Sequence, residues 1–254
     1  MFKRISAHTW YMLPEPASDR PALGYIKGDK YAFAADAGAS KAHVDKFYGC
    51  LSENGLPLPD FTGVSHYHWD HSYGLFACSG VSIASDRTNA MLRKEALFGW
   101  SEAEMLERIS DGQDIRFCYV TRKVEYPDPK EIKIVPADME ISADTSIDLG
   151  GVHVELIYCG GPHSRDSVMF LVPEDRVLFV ADASGKDMFE NEWCFDESDM
   201  SSIDAAIDAI PHIKDRLIPY IDLLERLGFD TAVLGHSDDT CTKAELISYL
   251  SEYI

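Results

Sequence analysis

Basic residues are scarce in this chain of 254 residues: 23 Lys and Arg stand against 43 Asp and Glu, a formal charge of -20. Such a surface repels phosphate backbones and anionic headgroups, so neither nucleic acid nor a membrane surface is an expected partner. No run approaches the ~20 apolar residues of a membrane span. The opening stretch, Met1 to Pro16, has basic residues but no apolar run of signal-peptide length, so a cytoplasmic protein is expected. No CxxC pair occurs among Cys50, Cys78, Cys118, Cys159, Cys194 and Cys241, which speaks against a zinc ribbon or a disulfide scaffold. These six read as ordinary thiols behaving as small hydrophobes. Cys159 stands out only for lying shortly ahead of His163. Internal repeats, low-complexity stretches and linkers are also missing. With 46% hydrophobic residues, the chain reads as a single domain, 1–254, with a lid or insertion at about 86–131.

Short extended segments fill the first third: a strand through Trp10 and Tyr11, Leu23 to Ile26, and Tyr31 to Ala35 after the turn Lys27-Gly28-Asp29-Lys30. A helix is predicted over Ala42 to Asn54, closed by Gly55, followed by a strand from Phe61 to Val64. From Asp86 to Glu131 the rhythm changes to helical stretches, a capping box at Ser101 and Glu104, and a polar, aromatic passage through Phe117, Tyr119 and Tyr126. Those aromatics read as local packing, with a substrate wall as the second reading. Strands resume at Glu131 to Val135, Ser146 to Leu149, His153 to Tyr158, Val168 to Val172 and Arg176 to Val180, the last two joined by a Pro173-Glu174-Asp175 turn. Leu217, Ile221 and Leu224 share a helical face ended by Gly228, Pro219 should kink or restart that helix, Thr231 to Leu234 forms a last strand, and Thr242 with Glu245 opens a final helix.

One segment carries chemistry. Ser65-His66-Tyr67-His68-Trp69-Asp70-His71 follows directly on an apolar strand, and three imidazoles and a carboxylate have no packing purpose there. In extended chain alternate residues point the same way, so His66 and His68 can converge on one ion. A turn into helix would swing Asp70 and His71 towards a second. Imidazole and carboxylate donors without cysteine suit zinc, iron, manganese or nickel, not a thiolate-rich structural site.

The HxHxDH motif after a strand resembles the signature of the metallo-β-lactamase superfamily, and further landmarks appear in that family's order. Asp36-Ala37-Gly38 matches the early strand-end Asp-x-Gly. His163, in Gly160-Gly161-Pro162-His163-Ser164, matches the loop histidine that joins His66 and His68 at a first metal. Asp182, after Val177 to Ala181, matches the bridging carboxylate, and Gly235-His236 the final histidine, which joins Asp70 and His71 at the second metal. The resemblance implies an α+β fold, a four-layer αβ/βα sandwich of two mixed β-sheets flanked by helices. It also implies two divalent metal ions, zinc first and iron or manganese as alternatives. Asp182 stands where one main class of antibiotic-degrading relatives carries cysteine, which points to the glyoxalase II, lactonase and phosphodiesterase branches. Only residues 237–254 follow His236, too few for the helical substrate domain of glyoxalase II.

The activity so implied is hydrolysis of an ester, lactone, thioester, amide or phosphodiester bond in a small molecule by a hydroxide shared between two ions. Asp70 is the candidate proton shuttle. Asp36 either orients the histidine loop or is a turn carboxylate. The alternative is a mononuclear non-haem iron oxidoreductase on the same fold, like the persulfide dioxygenases. A flavodiiron enzyme, a nuclease and a non-catalytic metal binder fit less well. Trp69, Tyr73, Arg165 and the aromatics of 86–131 are pocket candidates whose first reading is structural, and Arg20 is either part of a turn or a reader of an anionic group. Substrate-contacting residues and oligomeric state are not specified by these patterns.

Overall fold

The structure is a computed structural model that describes residues 1–189 and 210–254; Cys194 lies outside the described residues. Thirteen described strands form two sheets. The first holds β1 (Phe2–Arg4), β2 (Thr9–Met12), β3 (Leu23–Lys27), β4 (Ala32–Ala35), β5 (Phe61–Gly63), β6 (Val81–Ser85) and β7 (Met139–Ile141) in sequence order. It is antiparallel from β1 to β4 and parallel from β4 to β7. The second runs β13 (Cys241–Thr242), β12 (Thr231–Leu234), β11 (Val177–Ala181), β10 (Val168–Val172), β9 (His153–Tyr158), β8 (Thr145–Asp148), with only β11 and β12 parallel. Both sheets are therefore mixed, as the resemblance implies.

Alternation decides what lies between the sheets. Val168, Phe170 and Val172 join Ile26, Phe33, Val154, Leu156, Phe179 and Val233 in the inner core, and Phe33 meets Phe170 with ring centroids 5.5 Å apart. The intervening Met169 and Leu171 face outwards, onto Leu217, Tyr220, Leu224, Leu246 and Leu250 of α6 (Lys214–Arg226) and α7 (Lys243–Ser251). Hence every residue of β10 is buried, as expected of a strand covered on both faces. On the far side, Phe47 and Leu51 of α1 (Lys41–Glu53) cover Met12, Leu23, Tyr25 and Ala34. Burying each such side chain is worth about 1.5–3 kcal/mol, so the sandwich is held by apolar contact on three interfaces. Gly63 permits a close approach in this core: a Cβ there would lie 2.5 Å from Phe33 and 2.6 Å from Phe170.

Between β6 and β7 lie α3 (Asp86–Glu95), α4 (Glu102–Ser110) and α5 (Arg116–Glu125). The Ser101–Glu104 capping box is present at α4, and a second joins Thr242 to Glu245 at α7. The passage through Phe117 and Tyr119 is helical, a turn-by-turn pattern that its polar residues masked. The predicted strand Glu131 to Val135 is corrected: a 3-10 turn (Pro129–Glu131) leads into irregular chain, and the strand of this region is β7. Pro219 sits inside α6 without dividing it. Arg176 belongs to the hairpin turn, with φ +54°, and β11 starts one residue later. Among the described residues, no helix is long and apolar enough to cross a membrane.

Candidate metal centre

The ends of β4, β5, β11 and β12 meet at one edge of the sandwich. After β5 the chain stays extended through Val64 and Ser65, then enters the short helix α2 (Trp69–Ser72). His66 and His68 precede the helix, while Asp70 and His71 occupy it, the change of direction that lets one short segment serve two positions.

His66 Nε2 lies 3.0 Å and His163 Nε2 2.9 Å from His68 Nδ1. Three ring nitrogens thus converge at separations near the roughly 3.4 Å edge of a tetrahedron built on ~2.1 Å metal–nitrogen bonds. The rings are anchored from behind: His163 Nδ1 donates to the Lys186 carbonyl at 2.9 Å, and His66 Nδ1 is 3.0 Å from Ser65 Oγ. With Nδ1 of His163 protonated, its Nε2 offers a lone pair, the arrangement in which an outer hydrogen bond selects the ligating tautomer. Burial drives His66 well below the ordinary histidine range, and burial with the nearby His163 holds His68 down at about 3. Both rings are neutral and ready to ligate.

The second group is mixed. His71 Nε2 stands 3.0 Å from Asp70 and 3.3 Å from Asp182, and His236 Nε2 3.2 Å from Asp70 and 3.3 Å from Asp182. Asp182 also lies 3.7 Å from His163 Nε2, so its carboxylate sits between the two groups. Behind them, Asp36 accepts from His71 Nδ1 and from the Ser65 N–H, both at 2.8 Å. Burial opposes charge on His71, yet Asp70, Asp182 and Asp36 together hold its pKa well above the usual value. Against the same burial, His71 and His236 hold Asp70 and Asp182 well below theirs.

Whether these residues suit a cation can be asked of one atom. His71 Nε2 is buried and makes no well-formed hydrogen bond, although Nδ1 donates to Asp36 and two carboxylates that raise the pKa of the ring stand against Nε2. Anions so placed repel one another unless a proton or a metal ion lies between them. His66, His68 and His163 form one group of donors able to hold a metal ion, and Asp70, His71, Asp182 and His236 another, all donor atoms within each group lying within 4.8 Å. The donor sets fit.

The backbone is specialised around these groups. Asp36 at φ +72°, Ala181 at φ +48° and Asp19 at φ +55° adopt the left-handed region, unusual for residues with a side chain and typical of functional edges. Gly235 is a cradle: a Cβ there would lie 2.0 Å from Asp182 Oδ1 and 3.2 Å from His71 Cε1.

All seven predicted ligands are brought together, and Asp36 takes the orienting role. Arg20 does not face the groups; it pairs with the buried Glu125, Nε to Oε2 at 2.8 Å, tying the N-terminal loop to α5. Arg165 is exposed. Cys159 is an inert thiol, its pKa raised by burial to about 12 and its Sγ 3.2 Å from the Ser167 carbonyl. Sequence reasoning missed Asp19, 3.6 Å from His236 Nδ1, which a lone Asp before Arg-Pro does not signal. It also missed Asp166, which accepts from the Tyr67 N–H at 2.9 Å and the Thr88 hydroxyl at 2.8 Å and so holds the HxHxDH loop against α3.

Comparison with known proteins agrees with this geometry. A family model described as the metallo-beta-lactamase superfamily matches residues 59–236. The chain belongs to the metallo-β-lactamase superfamily. Among solved structures, a metallo-beta-lactamase from Pontibacter korlensis is similar at 17% identity and TM-score 0.63, with 99% of this chain and 97% of that one covered. The DIM-1 metallo-beta-lactamase gives 15% identity and TM-score 0.64 over 100% and 95%. A metallo-beta-lactamase family protein from Thermus thermophilus gives 16% and 0.63 over 96% and 77%. At these identities the likeness is one of fold. No curated protein matches the sequence.

Proposed function

We propose that this chain is a dinuclear-metal hydrolase of small molecules, a single domain whose segment 86–131 walls the approach to the site. In this reading His66, His68 and His163 hold one divalent ion and Asp70, His71, Asp182 and His236 the other, with zinc, iron or manganese as the metals. The observation that carries it is the complete second group, in which Asp70, His71, Asp182 and His236 bring their donor atoms within 4.8 Å of one another. A mononuclear iron oxidoreductase would not require that second set.

When bound, the ions would lower the pKa of water towards ~7 and polarise the oxygen of a carbonyl or phosphoryl group. The chain's own residues do the rest. Asp182, between the two groups, sets their spacing. Asp70 would take a proton from the attacking water and return it to the alcohol, thiol or amine that departs as the ester, lactone, thioester, amide or phosphodiester bond of the substrate breaks. Asp36 and the Lys186 carbonyl fix the rings of His71 and His163, so that little reorganisation is needed as charge develops.

The test is metal analysis of protein purified without added metal, beside a panel of chromogenic esters, lactones, thioesters and phosphodiesters. About two equivalents of zinc or manganese, with turnover abolished in Asp70→Ala, is the expected result. About one equivalent of iron, no hydrolysis and oxygen consumption with a persulfide would overturn it.

A further inference from the structure

Beside His68 a narrow cleft runs between the histidine loop and the α3–α5 segment. Aromatic rings form part of its wall. Phe189 stacks on His68 with ring centroids 5.3 Å apart, Tyr67 lies 4.6 Å from the same ring, and further in Tyr73 meets Trp100 at 5.7 Å. Two buried arginines, Arg108 and Arg122, also line it.

Their bonding is unequal. Arg122 is paired with Asp114. Arg108 donates to the Gly99 carbonyl at 2.8 Å and lies over Phe98 and Trp100, at 4.7 and 4.6 Å from the ring centroids, but has no ion-pair partner among the described residues. Arg108 Nη2, Arg122 Nε and Trp69 Nε1 are buried donors with no acceptor. All three residues line the cleft, but these atoms are sealed from solvent, so an acceptor in the cleft reaches them only when a side chain turns. The local charge points to an acceptor. In a chain of formal charge -20, the cleft gathers Lys94, Arg108 and Arg122 against Asp114 and Glu95. Burial raises Glu95 to about 7, despite the Tyr73 hydroxyl it accepts, so that carboxyl is only partly ionised near neutrality. The cleft therefore carries an excess of positive charge, and Arg108 has no carboxylate of its own among the described residues, which suits an anionic group.

We propose, building on the hydrolase reading, that this cleft is the specificity pocket and takes a flat, ring-bearing body ending in a carboxylate, with Arg108 as the group that reads the charge. The ring lies against Tyr67, Trp100 and Phe189, and the carboxylate pairs with the Arg108 guanidinium, the kind of group that matches a planar carboxylate. The scissile bond is thereby directed past His68 to the metal centre.

Trp69 and Trp100 line the cleft and supply a signal independent of turnover. Benzoate, benzamide and inorganic phosphate are titrated against the intrinsic fluorescence of the chelated and the metal-loaded protein. Benzoate is expected to bind both forms at least tenfold more tightly than benzamide, phosphate should not displace it, and Arg108→Gln should erase the preference. Equal affinity for benzoate and benzamide, benzoate binding lost on chelation, displacement by phosphate, or a preference intact in Arg108→Gln each overturns the proposal. If Arg108→Gln does not fold, the wild-type benzoate–benzamide pair still decides. With loaded protein, aryl esters with and without a ring carboxylate are compared: the carboxylated ester is expected to show at least tenfold lower KM. Hydrolysis of both with equal KM sinks the pocket and leaves the hydrolase standing. Benzoate binding without hydrolysis of any ester sinks the hydrolase reading instead.

Discussion

Asp36 Oδ2 accepts from His71 Nδ1 across 2.8 Å while its other oxygen takes the Ser65 N–H, so one carboxylate fixes both a ring and the backbone that leads into the histidine motif. Replacing it by Asn keeps the shape and removes the charge that selects the His71 tautomer. Outer hydrogen bonds of this kind are worth about 10–100-fold in metal affinity. Asp36→Asn should therefore weaken the second equivalent of metal by that factor and leave the first nearly unchanged, as read by chelator competition. Equal weakening of both, or of neither, would show that Asp36 does not act through His71.

Gly235 makes a steric prediction. Its missing Cβ leaves the space into which Asp182 Oδ1 projects, with 2.0 Å between the oxygen and where a Cβ would be. In Gly235→Ala either the carboxylate or the β12 end must move. Metal content should fall and the loaded protein should melt several degrees lower. A variant with full metal content and unchanged Tm would mean that the chain end adjusts freely.

How much of this was legible beforehand depends on what each residue answers to. His66, His68, Asp70 and His71 are crowded in sequence and were visible as a cluster, whereas His163, Asp182 and His236 are dispersed and became visible only through the resemblance. The fold class came from the same source, and the two mixed sheets agree with it. Glu131 to Val135 misled because its alternation is real: Ile132 and Ile134 are buried and Lys133 exposed, but among the described residues no strand pairs with it. Alternation reports which side is covered, not whether a ladder exists. Pro219 is tolerated because it is exposed in the second turn of α6, where an unpaired carbonyl can meet water. The cleft was legible only in part: Trp69, Tyr73 and the aromatics of 86–131 were pocket candidates and several of them line it, whereas Tyr67, Arg108 and Phe189 are far apart in the chain and gave no signal.

Glu95 gives a pH dependence. Its ordinary value of 4.5 is raised by burial to about 7, so the folded state binds the proton more tightly than the unfolded state does. Stability from this group is fully present below pH 4.5 and is lost as pH rises through 7, by about 3 kcal/mol at most. Urea unfolding of the chelated protein between these limits should show that decline, and Glu95→Gln should flatten it. Parallel slopes in the two proteins would remove Glu95 as the cause.

Metal removal should act on stability as well as on turnover. A ligand that binds only the folded state stabilises by about 2.7 kcal/mol at a hundred times its Kd, so chelation should lower Tm and zinc, manganese or iron should restore it in order of affinity. His71→Ala, which loses a donor of the second group, should recover only part of the shift. Full recovery in that variant would argue for a single binding position.

The donors belong to different halves of the sandwich. His66 to His71 follow β5 of the first sheet, whereas Asp182 and His236 end β11 and β12 of the second. Ions held there would act as rivets between two leaves that meet only after long stretches of chain have been gathered. The loaded site can form only late, once both leaves have docked, and unfolding must prise the leaves apart and empty the site in the same event. Metal should accordingly slow unfolding far more than it speeds folding.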